Sequence, residues 1–345
     1  MRFCSTCGFI LGTRPGLLEK DGVCQACINS EKKKTPEYLA MFADRQSWLT
    51  QYITDNKTNN RYDCVIAVSG GKDSHMIVRR LIENHGVKNP LLVSVTDEFT
   101  HTEAGKNNIT NLVTKYDLDL ITFRCKPKTF KRETKNDFLE SLHPLKWIES
   151  QIYKKPVEIA KKYGIKLVFF GENSAFEYGT SEELEIFHPE SDEETKIIFL
   201  GSIYPYSISD SLKAAREIGF KDLDEFREWE REGSIEQFTQ IDSVGYIIQL
   251  WTKFVKYGFQ RVSDIACRFV REGKLTKEQA AKLITEHDYK VDPEAKMDFC
   301  KTIGLTPAQF DDAVDMHANP SLVCKDAKGR WKRIEALRPR FVRRP

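Results

Sequence analysis

Four short apolar runs, at 64–69, 91–96, 120–124 and 167–171, punctuate the first half of the chain, each rich in Val, Ile, Leu or Phe. Runs of this length and composition predict buried strands. Between them, at 73–85, 103–116 and 144–163, the spacing of apolar positions is helical. Buried strands alternating with helices predict a parallel sheet covered on both faces. A fifth run, "IIFLG" at 197–201, is a further strand candidate, and an amphipathic helix is expected within 31–60. From 207 onward the strands stop. Helices are expected at 207–218, 222–232, 245–257, 260–272, 276–287, 294–303 and 306–317, with Thr276 and Thr306 as start signals. The predicted fold class is α/β. Five segments are expected: a compact unit at 1–30, a helical linker at 31–60, the sheet domain at 61–206, a helical region at 207–325 and a basic tail at 326–345.

Composition narrows this little. With 345 residues, 40% hydrophobic and 30% charged, the chain is long enough for about two domains with a real core and a charged surface. The net charge of +2 does not mark a nucleic-acid binder. The opening "MRFCSTCGFI" has no long apolar run, and no apolar stretch approaches bilayer length. A cytoplasmic protein without a membrane partner is expected. The basic end, from Arg330 to Arg344, reads as a solvated, partly disordered tail.

Cysteine placement adds more. Cys4 and Cys7, then sixteen residues, then Cys24 and Cys27, give two C-x2-C pairs. Each pair presents two thiolates from one tight turn, and two turns complete a tetrahedron, as in zinc ribbons. Structural Zn2+ is expected, contributing on the order of 10 kcal/mol to folding so small a unit. Four thiolates leave no open position for catalysis. Cys64, Cys125, Cys267, Cys300 and Cys324 have no nearby cysteine partner in sequence and read as thiols without function.

The first strand runs into "SGGKDS", and a helix follows. Gly70 and Gly71 let backbone N–H groups approach an anion. Lys72 adds a charge, Ser69 and Ser74 add hydroxyls, and Asp73 is placed to cap the helix or help hold Mg2+. The loop fits neither the Walker pattern, since Asp73 follows Lys72, nor the dinucleotide fingerprint. Open parallel sheets bind ligands beyond the carboxyl ends of their strands. The second strand ends at Thr96 and Asp97, with His101 on the loop beyond. The fourth ends at Gly171, with Glu172, Asn173, Glu177 and Tyr178 following. Acidic residues there suit Mg2+ or acceptance of a proton.

"SGGKDS" resembles the pyrophosphate loop of the PP-loop ATP pyrophosphatases, which have an adenine-nucleotide α-hydrolase-like fold. "YDCVIAVSGGKDSHMIV", "VTDEFTHTEAG", "DLITFRCKPKTF", "GENSAFEYG" and "FVKYGFQRVSDIACRFVREGKLTKEQA", in that order, resemble the N-acetyl sugar amidotransferases of bacterial surface-polysaccharide biosynthesis. The paired N-terminal cysteines fit too, so the resemblance spans nearly the whole chain. It implies an ATP-binding set of Ser69, Gly70, Gly71, Lys72, Asp73, Ser74, Thr96, Asp97 and Gly171. It adds weight to Glu172 and Asn173, and with His101 and Glu177, which rest on their strand-end positions alone, the candidate catalytic set is Lys72, Asp73, Glu172, Asn173, Glu177 and His101. The implied reaction converts an acetamido group on a nucleotide-linked sugar to an acetamidino group, through an O-adenylyl intermediate displaced by ammonia. The implied partners are a glutaminase subunit and a cyclase-like barrel subunit, both resembling subunits of imidazole glycerol phosphate synthase. The segment "SIYPYSISDS" at 202–211 matches the family only in part, which bears on the choice of sugar. The runner-up is a PP-loop tRNA sulfur transferase, for which only Cys64 and Cys125 lie near the loop. A non-catalytic interaction protein is the third reading, and the intact loop argues against it.

Overall fold

The computed structural model describes residues 2–334. Its centre is a five-stranded, wholly parallel sheet: β5 (Cys64–Ala67), β6 (Pro90–Thr96), β7 (Leu120–Arg124), β8 (Leu167–Phe170) and β9 (Lys196–Phe199), in the order β7-β6-β5-β8-β9. Period-two alternation divides each strand between two cores. Cys64 and Ile66, Leu92, Leu167 and Phe169, and Ile198 face one cluster. There they meet α2 (Pro36–Asp55), α3 (Lys72–Arg79) and α4 (Glu103–Tyr116) through Leu49, Ile77 and Leu112. Val65, Leu91 and Val93, Val168 and Phe170, and Ile197 face the other. That side is covered by α6 (Lys146–Lys162), through Ala160.

The chain lays down β5, β6 and β7 outward, then returns to place β8 on the other side of β5. The strand order therefore reverses between β5 and β8. Crevices open at such a reversal, outside the carboxyl ends of the strands. The two loops that leave this point begin at Val68 and Gly171.

The N-terminal unit consists of two antiparallel pairs, β1 (Arg2–Phe3) with β2 (Ile10–Leu11) and β3 (Glu19–Lys20) with β4 (Val23–Cys24), followed by α1 (Gln25–Lys32). It shares a core with two late helices, α11 (Arg261–Arg271) and α12 (Lys277–His287), through Phe9, Ile10, Val262, Ala266, Ala280 and Ile284. The largest core joins α5 (Pro127–Ser141) to α10 (Ile248–Tyr257), α13 (Pro293–Ile303) and α14 (Pro307–His317). In it Phe138, Phe299 and Phe310 pack ring to ring, with centroids 4.9–5.9 Å apart. The late helices thus divide between two cores, each shared with an earlier part of the chain.

Several elements differ from expectation. Helix α5 has no counterpart in the sequence reading: only Phe130, Thr134 and Phe138 of its fifteen residues are buried, too narrow a stripe to stand out. The helix expected at 222–232 is the short α9 (Leu223–Phe226), and it stops at Arg227, which adopts a left-handed conformation at φ 53°. The helix expected at 73–85 is α3 continued by a wider π-type turn at Arg80–Asn84. Strands do not end at 207, because β10 (Val323–Lys325) pairs with β11 (Trp331–Arg333) as an antiparallel hairpin. That hairpin takes up the start of the expected basic tail. Arg333 donates to the buried Asp288 at 2.9 Å and to the Gly258 carbonyl at 2.8 Å. The rest of the expected tail, from 335, lies outside the described residues. Among the described residues no helix is long and apolar enough to cross a membrane.

Candidate active site and metal centre

The turn after β5 is held open by its own polar groups. Gly70 sits at φ +85°, and a Cβ there would meet the Ile109 backbone nitrogen at 3.1 Å, so only glycine fits without strain. The Ser69 N–H donates to Ser74 Oγ at 2.9 Å. Gly71 begins α3 with no side chain capping it, which leaves first-turn N–H groups without a protein acceptor. His75 fastens the loop from behind. It is wholly buried, and burial holds its pKa down at about 4. The Asn111 side-chain amide donates to Nε2 at 3.2 Å, so the Nδ1–H is the donor to the Gly71 carbonyl at 3.0 Å. The Lys72 side chain is only 3% exposed. Its ammonium meets both Asp73 carboxylate oxygens, at 2.7 and 2.8 Å, and the Tyr206 hydroxyl at 3.0 Å.

This loop forms one wall of a cleft of about 320 Å³ at the carboxyl ends of the strands. Ser69, Gly70, Gly71, Lys72, Asp73, Ser74, Asp97, Gly171 and Glu172 all line it. Asp97 is nearly buried, accepts from the Phe99 N–H at 2.9 Å and the Ser243 hydroxyl at 3.0 Å, and has its pKa pushed up by burial. Four other expected site residues stand behind the cleft. Thr96 and His101 bond one another at 3.2 Å, and His101 also reaches the Asp97 carbonyl at 3.2 Å. The Asn173 amide is committed to the fold. It caps α7 (Ser174–Tyr178) by accepting from Phe176 N–H at 3.3 Å, and it donates to the Glu185 carbonyl at 3.1 Å. Glu177 is paired with Lys33 at 2.7 Å, and Lys33 also donates to the Tyr206 carbonyl at 2.8 Å. Glu172 reaches the cleft while ion-paired to the buried Arg268.

The opposite wall was not read from the sequence. It is built by Phe238, Thr239, Gln240, Ile241 and Asp242, with Tyr246 and Arg261. An internal ion pair shapes this stretch. Arg231 and Glu236 are each 3% exposed. Arg231 donates to the carbonyls of Thr239 at 2.7 Å and Gln240 at 3.2 Å. Glu236 accepts from the Phe238 and Thr239 N–H groups, each at 2.8 Å. The strand of backbone at Asp242 lies directly against α4, where a Cβ on Gly105 would come within 2.6 Å of the Asp242 Cα. Burial, reinforced by the neighbouring Asp97 charge, pushes the Asp242 carboxyl up to about 6.

The four paired cysteines converge elsewhere. Their sulfurs all lie within 4.8 Å of one another and are buried. Cys4 to Cys27 and Cys7 to Cys24 are each 3.8 Å. A disulfide needs about 2.05 Å. Thiolates held about 2.3 Å from one tetrahedral ion stand about 3.8 Å apart, so the cluster fits Zn2+ and not a pair of disulfides. Cys267, read as functionless, packs on this unit, its thiol donating to the Cys7 carbonyl at 3.3 Å. The next residue of the same helix, Arg268, faces the cleft residue Glu172. Helix α11 therefore lies between the cysteine cluster and the cleft. The N-terminal unit reaches around it as well. Arg14 pairs with Asp264 and lies 4.8 Å over the ring of Tyr178, a cleft residue. Asn29 of α1 donates to the Phe176 carbonyl at 2.8 Å.

Residues 232–338 match the family model described as the C-terminal domain of LPS biosynthesis proteins like WbpG. Over that stretch the chain is similar to the WbpG-like C-terminal domain. This supports the N-acetyl sugar amidotransferase family of LPS biosynthesis that the sequence resembles. An uncharacterized protein of Methanocaldococcus jannaschii is 24% identical over 281 residues, spanning 81% of this chain and 91% of that relative. The WbpG-like domain contributes the second cleft wall, including Asp242, Tyr246 and Arg261, whereas the glycine loop precedes it in the chain. Both parts therefore line the one cleft.

Proposed function

We propose that the protein is an ATP-dependent amidotransferase that converts an acetamido group on a nucleotide-linked sugar to an acetamidino group, in LPS or related surface-glycan synthesis. The observation that carries this reading is the uncapped start of α3, with Lys72 buried beside it, opening into a cleft whose far wall is the WbpG-like domain. A helix start with free N–H groups and a lysine is suited to phosphate. The loop from Ser69 to Ser74 holds the β- and γ-phosphates of ATP, and Lys72 exchanges its contact with Asp73 for one with phosphate. Asp73, freed, is placed to hold Mg2+, whose charge offsets that of the phosphates when bound.

An amide oxygen is a poor leaving group. It attacks the α-phosphorus, the bond to the β-phosphate oxygen breaks, and pyrophosphate leaves. Ammonia then adds to the activated carbon, and AMP departs carrying the former amide oxygen. The nitrogen must lose protons as the C–N double bond forms. Asp242, with its pKa near 6, is ionised at neutral pH and lines the cleft, so it joins Glu172 as a candidate acceptor. Ammonia comes from a glutaminase subunit and a barrel partner, or from free ammonium. Sulfur transfer to tRNA is less well supported: among the described residues no cysteine lines the cleft, and Cys64 and Cys125 are buried.

The test is mass spectrometry of diacetamido nucleotide-sugars incubated with the protein, ATP, Mg2+ and ammonium, with AMP followed in parallel. Replacement of oxygen by NH, matched by AMP, is the expected outcome. AMP formation on tRNA with a sulfur donor, and none on sugars, would overturn it.

A further inference from the structure

Three arginines crowd the end of the cleft around Tyr178, and they are not equivalent. Arg14 is neutralised by Asp264 and Arg268 by Glu172. Arg261 lines the cleft, yet among the described residues the only hydrogen-bond partner of its side chain is the Tyr178 hydroxyl, at 2.8 Å. Its Nε is buried with no acceptor among the described residues, as is that of Arg268. Among the described residues no carboxylate forms an ion pair with Arg261. Glu236 and Asp264 lie near enough to favour its charge, but each is ion-paired with another arginine, Arg231 and Arg14. The Tyr178 hydroxyl offers a lone pair, not a charge. Three guanidiniums, those of Arg14, Arg231 and Arg261, thus share two carboxylates, and an entering oxyanion would balance the third. A guanidinium with a free edge is also the group best shaped to take such an anion through two parallel bonds.

The rest of the cleft shows which molecule would bring that anion. Lys72 and the first turn of α3 already serve phosphate at the glycine loop. Arg261 belongs to α11, in the WbpG-like wall, and its helix is a different element from the one that carries the loop. We propose that Arg261 is a specificity-determining residue that binds an oxyanion, phosphate or carboxylate, on the second substrate and not on ATP. The inference rests on the reading that ATP occupies the glycine-loop end of the cleft. Tyr178 is its positioning partner, itself held between Arg14 and Arg268, whose guanidinium carbons lie 4.8 and 4.5 Å from its ring.

Calorimetric titration of the full chain and of Arg261→Gln tests this with three probes. UDP-N-acetylglucosamine carries a diphosphate, glucuronic acid a carboxylate, and ATP with Mg2+ reports the glycine loop. The wild type is expected to bind at least one of the two sugar probes. Arg261→Gln is expected to weaken that probe at least tenfold while ATP affinity stays within twofold. Arg261→Lys, which keeps the charge and loses the paired edge, is expected to fall between. Loss for the UDP-sugar alone assigns the anion to phosphate, and loss for glucuronic acid alone assigns it to carboxylate. Equal affinities in the wild type and Arg261→Gln, failure of the wild type to bind either sugar probe, or a parallel loss for ATP would overturn the proposal. ATP bound normally with an indifferent Arg261 would remove this inference and leave the proposed function standing. An Arg261-dependent sugar probe without ATP binding would do the reverse.

Discussion

At the residue scale, the cleft sets a few buried charges against one another. Lys72 is almost wholly buried, yet its contacts with Asp73 and Tyr206 are ones a bound phosphate can replace. Lys72→Met keeps the stem and removes the charge. It is expected to lower AMP formation at least a hundredfold, with a melting temperature near that of the parent. Normal pyrophosphate release from this variant would remove Lys72 from the phosphate site. Asp242 allows a second prediction, from its titration. Its carboxyl is pushed up to about 6 from an ordinary value of 3.8, first by burial and then by Asp97. Below about pH 3 the group is largely neutral whether the chain is folded or not, so folding carries no penalty. Between the two values the unfolded chain ionises while the folded one resists, and stability falls as pH rises. Above about pH 6 the loss is complete. Asp242→Asn should therefore gain about 1–3 kcal/mol at pH 7.5 and almost nothing at about pH 3 in denaturant titrations. If it also accepts a proton from the attacking nitrogen, the same variant loses turnover. An equal gain at both pH values would show that the effect is not electrostatic.

At the scale of elements, legibility followed periodicity. The five strands and the helices α3, α4 and α6 were readable because apolar residues repeat at two or at three to four positions along them. The glycine loop was readable because its chemistry lies within six consecutive residues. The cleft's far wall was not, because 231–242 is shaped by Arg231 and Glu236, and two charged residues five apart look like surface in a sequence. Arg261 and Arg268 were equally hidden within a helix whose charged positions suggested solvent. Asn173, Glu177 and His101 sit at the right strand ends, yet their side chains serve α7, Lys33 and Thr96. A strand-end position brings a residue near the crevice, but its neighbours settle where the side chain turns. The Arg231–Glu236 pair offers a prediction of its own. Glu236→Ala leaves a buried arginine without its charge partner and should cost about 3–5 kcal/mol. Replacing both, as Arg231→Met with Glu236→Leu, should recover much of that stability. It should not recover activity, because the backbone bonds to Phe238, Thr239 and Gln240 are lost together. A double variant with full turnover would show that the wall needs no such shaping.

For the whole molecule, the question is why a four-cysteine cluster that fits zinc is joined to this cleft. The N-terminal unit touches the cleft's supports at several independent points. Arg14 lies on Tyr178, Asn29 holds the carbonyl of Phe176, Lys33 binds both Glu177 and the carbonyl of Tyr206, and Cys267 ties α11 to the Cys7 turn. Tyr178 and Tyr206 are themselves cleft residues. A unit of about thirty residues has too little core to hold these contacts without its metal. Zinc would therefore position the Tyr178–Arg261 end of the cleft without taking part in any reaction step. Removal of metal by a strong chelator, or by Cys24→Ser, should lower the melting temperature. Well below that transition it should also lower kcat/KM for the sugar more than for ATP, since the glycine loop hangs on the sheet and α4. Added Zn2+ should restore both in the chelated protein and not in Cys24→Ser. Equal loss for the two substrates would indicate general unfolding. Unchanged kinetics in the metal-free protein would make the four cysteines a stabilising clip with no hold on the site.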